Sequence, residues 1–219
     1  VLLVGFLVGG VLLYWLNALP DVSALARHNP STTALMELRR VQAKAACRPY
    51  YLRWTWQPLD RISPHLLRAV IVAEDAAFYG HEGFDWEGIQ DAVKRNLESG
   101  KAKRGGSTIT QQVAKNLYLT PKKSWTRKIT EALITRELER KLSKRRILEI
   151  YLNVAEWGNG VFGAEAAAIH HFGKLADDLT AEEAALLAAI LPAPRRHDPL
   201  EITGYVAKRQ RRILSFMDR

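Results

Sequence analysis

Glu74 and Asp75 end an apolar run, and that placement is the first hint of chemistry in the chain. Leu66, Leu67, Val70, Ile71 and Ala73 make one helical face leading into the two acids, followed by Phe78, His81, Gly83 and Asp85. Desolvation at the edge of an apolar face raises a carboxylate's pKa and suits it to act as a general base or acid. The plainer reading is a helix end whose acids are solvated. A second stretch reads Gly105-Gly106-Ser107-Thr108-Ile109-Thr110-Gln111-Gln112 and runs into Val113-Ala114-Lys115-Asn116. A glycine-hinged, hydroxyl- and amide-rich loop that opens a helix can offer N–H and O–H groups to phosphate or sugar oxygens. It lacks the Gly-Lys-Ser/Thr end of a P-loop. An ordinary capped helix start accounts for Ser107 or Thr108, but not for two consecutive glutamines. In the third stretch Lys122, Lys123, Arg127 and Lys128 precede Glu131. On a helix Arg127 and Lys128 stand four and three residues before Glu131 and share its face. Such a group is either a solvated ion-pair surface or a basic site for a diphosphate, with a carboxylate set among cations.

The elements that would carry these groups are mostly helices. Residues 31–46 read as a helix capped by Ser31 or Thr32, and Arg53-Trp54-Thr55-Trp56 alternates as a short strand would. Helix signals dominate from Ser63-Pro64 onward. Gly80, Gly83, Gly100, Gly105 and Gly106 mark a loop-rich region. Residues 125–144 form a long helical pattern with Ile129, Leu133, Leu138 and Leu142 toward a core, continued at 147–152. A helix at 165–172 ends at Gly173, a residue suited to the left-handed position. Thr180-Ala181-Glu182-Glu183 is a capping box for an apolar helix at 184–191, stopped by Pro192. The fold class is mainly α, with minor β.

At 219 residues the chain has room for one substantial domain and a small appendage, and 47% apolar residues suffice for a real core. The single cysteine, Cys47, can build neither an internal disulfide nor a metal cage, and reads as a small buried apolar residue. The formal charge of +9 calls for an anionic partner: nucleic acid, acidic lipid headgroups or a phosphate-bearing substrate. No groove-reading element accompanies the basic residues, which argues against nucleic acid. Residues 1–19 carry no charge, and as a helix they would be roughly 28 Å long, close to a bilayer's hydrocarbon thickness. Tyr14 and Trp15 suit the headgroup region, and Pro20 stops the run. A cleaved signal peptide and a buried core helix are the alternatives; the uninterrupted length favours a retained anchor.

Taken in order, these stretches resemble the signatures of the family 51 peptidoglycan glycosyltransferases. Glu74-Asp75-Ala76-Ala77-Phe78 with His81, Gly83 and Asp85 resembles the first. The run from Gly105 to Gln112 with Lys115-Asn116-Leu117 resembles the second, and Arg127-Lys128-Ile129-Thr130-Glu131 the third. Lys144 with Ile147-Leu148-Glu149-Ile150-Tyr151-Leu152-Asn153 resembles the fourth, and residues 182–192 the last. Nothing large follows, which is similar to the monofunctional branch rather than to bifunctional penicillin-binding proteins.

The resemblance implies a lysozyme-like, mainly α catalytic domain at 61–219, a membrane-proximal segment at 20–60 forming a smaller lobe, and a transmembrane anchor at 1–19. It implies an inverting transfer from an undecaprenyl-diphosphate-linked strand to the 4-hydroxyl of lipid II, making a β-1,4 bond. Glu74 matches the base. Glu131 matches a second essential carboxylate that orients cations, coordinates a metal or helps the leaving group depart. Lys115, Lys123, Arg127 and Lys128 would hold the diphosphate, with a divalent cation such as Mg or Mn allowed there. Ser107, Thr110, Gln111 and Gln112 would contact sugar and phosphate oxygens, and Asp75, His81 and Asn116 complete the binding set. Lys123 stands where an Arg is often found, giving a point charge rather than a fork. The implied place is the bacterial inner membrane, single-pass, with the catalytic part on the extracytoplasmic side and proteins of cell-wall synthesis or division as partners. A lysozyme-like glycan-cleaving enzyme is the alternative; it would share the catalytic Glu but have no need of the basic cluster.

Overall fold

The computed structural model describes residues 19–99, 106–120 and 124–217 and is mainly helical. Helix α1 (Ala34–Ala45) begins at Thr33, whose extended backbone lets its hydroxyl accept the Met36 N–H at 3.0 Å. The cap is therefore one residue past the expected Ser31 or Thr32. Helix α2 (Pro64–Glu74) starts on a proline, whose missing N–H would have had no partner there anyway. Helix α3 (Trp86–Ser99) occupies ground expected to be loop. Asp85 caps it by accepting the Gly88 N–H at 2.8 Å, and a Cβ at Gly88 would come within 2.1 Å of the Asp85 carboxylate. A glycine that would ordinarily break a helix is here what allows the cap to close.

The remaining helices are α4 (Ile109–Tyr118), α5 (Trp125–Lys141), α6 (Lys144–Val154), α7 (Ala164–Phe172), α8 (Ala181–Ile190) and α9 (Gly204–Met217). Ser124 and Ser143 cap α5 and α6, and Thr180 with Glu183 makes the expected capping box on α8. Gly173 ends α7 at φ 67, a left-handed conformation that glycine adopts without Cβ strain. Three short strands form one sheet: β1 (Arg53–Trp54), β2 (Glu156–Gly158) and β3 (Val161–Phe162). β3 lies centrally, parallel to β1 and antiparallel to β2.

Helix α8 is apolar all round because it is enclosed, packing on α2 and α9 with every residue from Ala184 to Ile190 buried. Helix α4 packs on α5 and α6. Residues 20–60 join the same body: Val22, Leu25 and Leu59 belong to its core, and Arg146 donates to the Leu25 carbonyl at 2.7 Å. The tightest tie is Asn153, fully buried on α6. Its side chain accepts the Gln57 N–H and donates to the Gln57 and Glu149 carbonyls, each at 2.8 Å, while its own carbonyl accepts the Trp54 indole N–H.

Two expectations are corrected. Ile129 is 54% exposed, because α5 buries the face of Glu131, Ile134, Thr135 and Leu138. Two residues along a helix is a rotation of roughly 200°, which points Ile129 away from that face. Cys47 is exposed, at φ 50 in the turn that follows α1. Among the described residues no helix is long and apolar enough to cross a membrane. The anchor expected at 1–19 falls, except for Leu19, outside them.

Replacing Asn153 by Ala strands the Gln57 N–H and C=O in a partly buried setting. The expected cost is about 2–4 kcal/mol, read as a lower urea midpoint with unchanged slope. A loss below about 1 kcal/mol would show that these hydrogen bonds do not hold residues 53–57 in place.

Candidate active site

Glu74 is the last residue of α2, where the helix runs out and its side chain is free to face another element. Its Oε2 accepts the Gln112 amide N–H at 2.9 Å, and Gln112 Oε1 in turn accepts the Tyr151 hydroxyl at 3.2 Å. The tyrosine thereby fixes which end of the amide faces the carboxylate. Tyr151 is buried, and its pKa is pushed well up by burial, with Glu74 and Asp75 adding to the effect, so the phenol stays a donor at neutral pH. On the other side the Arg209 guanidinium of α9 lies 3.5 Å from Glu74 Oε1.

Asp75 does a different job from its neighbour. One oxygen accepts the Ile109 N–H that opens α4, and the other meets His81 Nε2, both at 2.9 Å. His81 Nδ1 accepts the Gly83 N–H at 3.0 Å, which assigns the ring proton to Nε2 as a donor to Asp75. The Thr108 hydroxyl donates to the Gly83 carbonyl, and Thr108 with Gln111 forms a capping box. Gly83 sits at φ 90, and a Cβ there would come 2.8 Å from the Thr135 methyl group. Thr110 donates to Glu139 at 2.5 Å, and Glu139 also takes Lys144 at 2.8 Å, whose ammonium lies 4.6 Å over the Phe78 ring. Asp75, His81, Thr110 and Gln111, expected as substrate contacts, thus make hydrogen bonds within the fold, and those of Asp75, His81 and Thr108 hold the loop after Glu74 against the start of α4.

The basic stretch comes together as its spacing suggested. Glu131 is only 3% exposed on α5; one oxygen takes Arg127 Nη1 at 2.5 Å and the other takes Lys128 Nζ. Lys115, from α4, lies within the electrostatic reach of both Glu131 and Glu74. Burial lowers its pKa, the two glutamates oppose that, and Arg127 and Lys128 add to it, for a net lowering. Lys115, Asn116, Gln112, Arg127 and Tyr151 share the wall of one cleft of about 360 Å3. Ser107 is partly buried beside the start of α4. Lys122, Lys123 and Gly105 lie outside the described residues. Both Glu131 oxygens already hold cations, and no three His, Cys, Asp or Glu side chains converge among the described residues.

Three contributors were not visible as site residues in the sequence. Tyr151 sits in an apolar run and reads as core. Arg209 sits among the basic residues of α9, where each arginine reads as solvated. Arg39 of α1 makes a forked pair with Glu156, Nε to Oε1 at 2.9 Å and Nη2 to Oε2 at 2.6 Å, and the pair closes one end of the cleft. The signal for that fork is 117 residues apart in the chain. A second cavity, about 350 Å3, lies between α2 and α9 with Ala73, Ala76, Phe216, Arg212 and Glu74's partner Arg209 in its wall.

The chain matches the Transglycosylase family over residues 42–218. It is similar to proteins named biosynthetic peptidoglycan transglycosylase from several bacteria. That of Aromatoleum aromaticum is 54% identical over 189 residues, covering 86% of this chain and 82% of the relative. That of Nitrosospira multiformis is 53% identical over 194 residues, with the same coverage, 86% and 82%. That of Chromobacterium violaceum is 48% identical over 207 residues, covering 94% and 91%. A family match through both carboxylates and the cationic cleft, with relatives near half-identical over most of their length, shows that this chain belongs to the transglycosylase family.

Proposed function

We propose that the chain polymerises peptidoglycan strands by inverting glycosyl transfer, from a growing strand on undecaprenyl diphosphate to the 4-hydroxyl of lipid II. The observation that supports it most is the placement of Lys115 within reach of both Glu74 and Glu131, in a cleft it shares with Arg127. Glycan hydrolysis gives such a cation cluster no task, whereas a diphosphate leaving group gains charge as its bond breaks and needs cations held in place beforehand.

In this reading the acceptor hydroxyl attacks the anomeric carbon while its proton passes to the Glu74 carboxylate. The bond from that carbon to the diphosphate oxygen breaks, and the diphosphate departs with the electron pair toward Lys115, Arg127 and Lys128. Gln112, oriented by Tyr151, keeps the base turned to the acceptor. Glu131 is the residue that orients Arg127 and Lys128, since each of its oxygens holds one of them. Gln112 and Arg209, both partners of Glu74, line two different cavities, which suits a reaction of two lipid-linked substrates: the donor's diphosphate in the cationic cleft, the acceptor beside Arg209 and Arg212. The reading carries with it a lysozyme-like catalytic domain at 61–219, a membrane-proximal lobe at 20–60 and an anchor at 1–19 in the inner membrane. Trp125, 87% exposed, and Ile129 one turn later offer apolar contact to a bilayer surface.

Glu74→Gln keeps shape and removes basicity, so polymer formation from lipid II is expected to fall by about 10²–10⁴-fold with the near-UV spectrum of a folded protein intact. Near-normal polymerisation by the folded variant would remove Glu74 from the base role, and shortening of isolated sacculi would favour the hydrolytic alternative. The lowered pKa of Lys115 gives a pH test. Binding of inorganic diphosphate is expected to weaken as pH rises through a range below that of an ordinary lysine, because the neutral amine no longer attracts the anion. Lys115→Arg, protonated throughout, is expected to abolish that alkaline limb, and Lys115→Ala to cost about 1.5–3 kcal/mol of binding at neutral pH. An alkaline limb unchanged in Lys115→Arg overturns the assignment. For the anchor, a chain without residues 1–19 is expected to retain activity in detergent and lose most of it in liposomes, where it no longer shares a plane with substrate. Equal activity of both chains in liposomes rules that out.

A further inference from the structure

Beyond Arg39 lies a cavity that the proposed reaction leaves without a task. It measures about 280 Å3 and is bounded by the end of α1, the turn after it and Arg195. The Tyr50 hydroxyl is buried there and has no hydrogen-bond partner among the described residues, an unfavourable state for a group that both donates and accepts. Arg39, Arg48 and Arg195 line the same cavity, and the charges of Arg39 and Arg195, with Glu156 and Glu37 opposing them, act on the hydroxyl. The Arg39 charge is taken up by Glu156. Arg48 and Arg195 form no ion pair among the described residues, so the cavity keeps their positive charge. Burial pushes the Tyr50 pKa up, with Glu156 acting the same way and Arg39 and Arg195 opposing, so the phenol is a donor at neutral pH. A phenol donor in a cavity lined by two arginines that form no ion pair among the described residues is suited to an oxyanion.

Arg39 lines both this cavity and the cleft of Lys115 and Arg127, so the two are neighbours that share its side chain. That adjacency points to the substrate rather than to a lipid headgroup as the source of the anion. We propose that the Tyr50–Arg48–Arg195 cavity is an anion subsite that receives a carboxylate from the peptide branch of a peptidoglycan substrate whose diphosphate lies at Lys115 and Arg127. The substrate's identity in this statement rests on the function proposed above.

The sole cysteine gives a direct probe, because Cys47 is exposed and lies between Ala46 and Arg48, both in the cavity wall. The full chain in detergent, carrying an environment-sensitive dye on Cys47, is titrated with a lipid-free muramoyl peptide, with the same peptide fully amidated, and with vesicles containing anionic phospholipid. A saturable response to the acidic peptide, weakened about tenfold by Arg48→Ala with Arg195→Ala and several-fold by Tyr50→Phe, is expected. In turnover, amidating the peptide carboxylates of lipid II is expected to raise KM about tenfold for the parent chain. The paired arginine substitutions, at exposed positions outside the core, are expected to abolish that discrimination, a coupling that a general fold defect would not produce. Equal responses to acidic and amidated peptide, a response to vesicles alone, or discrimination that survives the arginine substitutions each overturns the proposal. If lipid II is not polymerised at all, the functional reading fails while the dye titration still decides the subsite.

Discussion

Asp75 accepts the first amide of α4 and the ring of His81, and the placement of the reactive groups depends on that short-range bond. A carboxylate at a helix start is favoured both by unpaired N–H groups and by the positive end of the helix dipole. Since Asp75 follows Glu74 directly, fixing one acid limits where the other points. Since α4 begins at the residue Asp75 holds, Gln112 and Lys115 are set at the first and second turns beyond it. The Gly83 carbonyl bonded to Thr108, and a backbone at φ 90 that leaves no room for a Cβ against Thr135, keep the intervening loop from moving the two apart.

A second constraint is the burial of like charges. Lys115 and Arg127 share one region with the more exposed Lys128 at its edge, and Glu131 and Glu74 offset them. Pairing Glu131 with two cations makes its burial tolerable but does not make it a source of stability, since desolvation of such groups rivals their attraction. The arrangement makes sense as a site prepared for negative charge. Arg127 Nε, buried with no partner among the described residues, fits the same description.

Much of this was legible in the sequence where one periodicity or one cap decided the outcome. The i, i+3 and i, i+4 spacing placed Lys128 and Arg127 on Glu131, and the box at Thr180 and Glu183 formed as read. Illegible were the jobs set by distant partners. Thr110 and Gln111 looked like ligand-binding donors because the loop chemistry of a cap and of a phosphate site is the same; only Glu139 on another helix shows where the Thr110 hydroxyl goes. Helix α3 was hidden by the glycines that flank it, and Cys47 by the assumption that a lone thiol is buried. Tyr151 and Arg209 became site residues only once α6 and α9 were brought to Glu74.

The enclosed helix α8 also says something about when the protein becomes competent. Helix α2, which ends in Glu74, is covered by α8 and α9, elements synthesised about a hundred residues later. Contacts of such long sequence separation form late and cannot reward the chain before the intervening loop is closed. A nascent chain that has not yet gained α8 and α9 would expose the apolar face of α2 and leave Glu74 without Arg209. The fold thus makes the setting of Glu74 depend on residues that leave the ribosome long after it does.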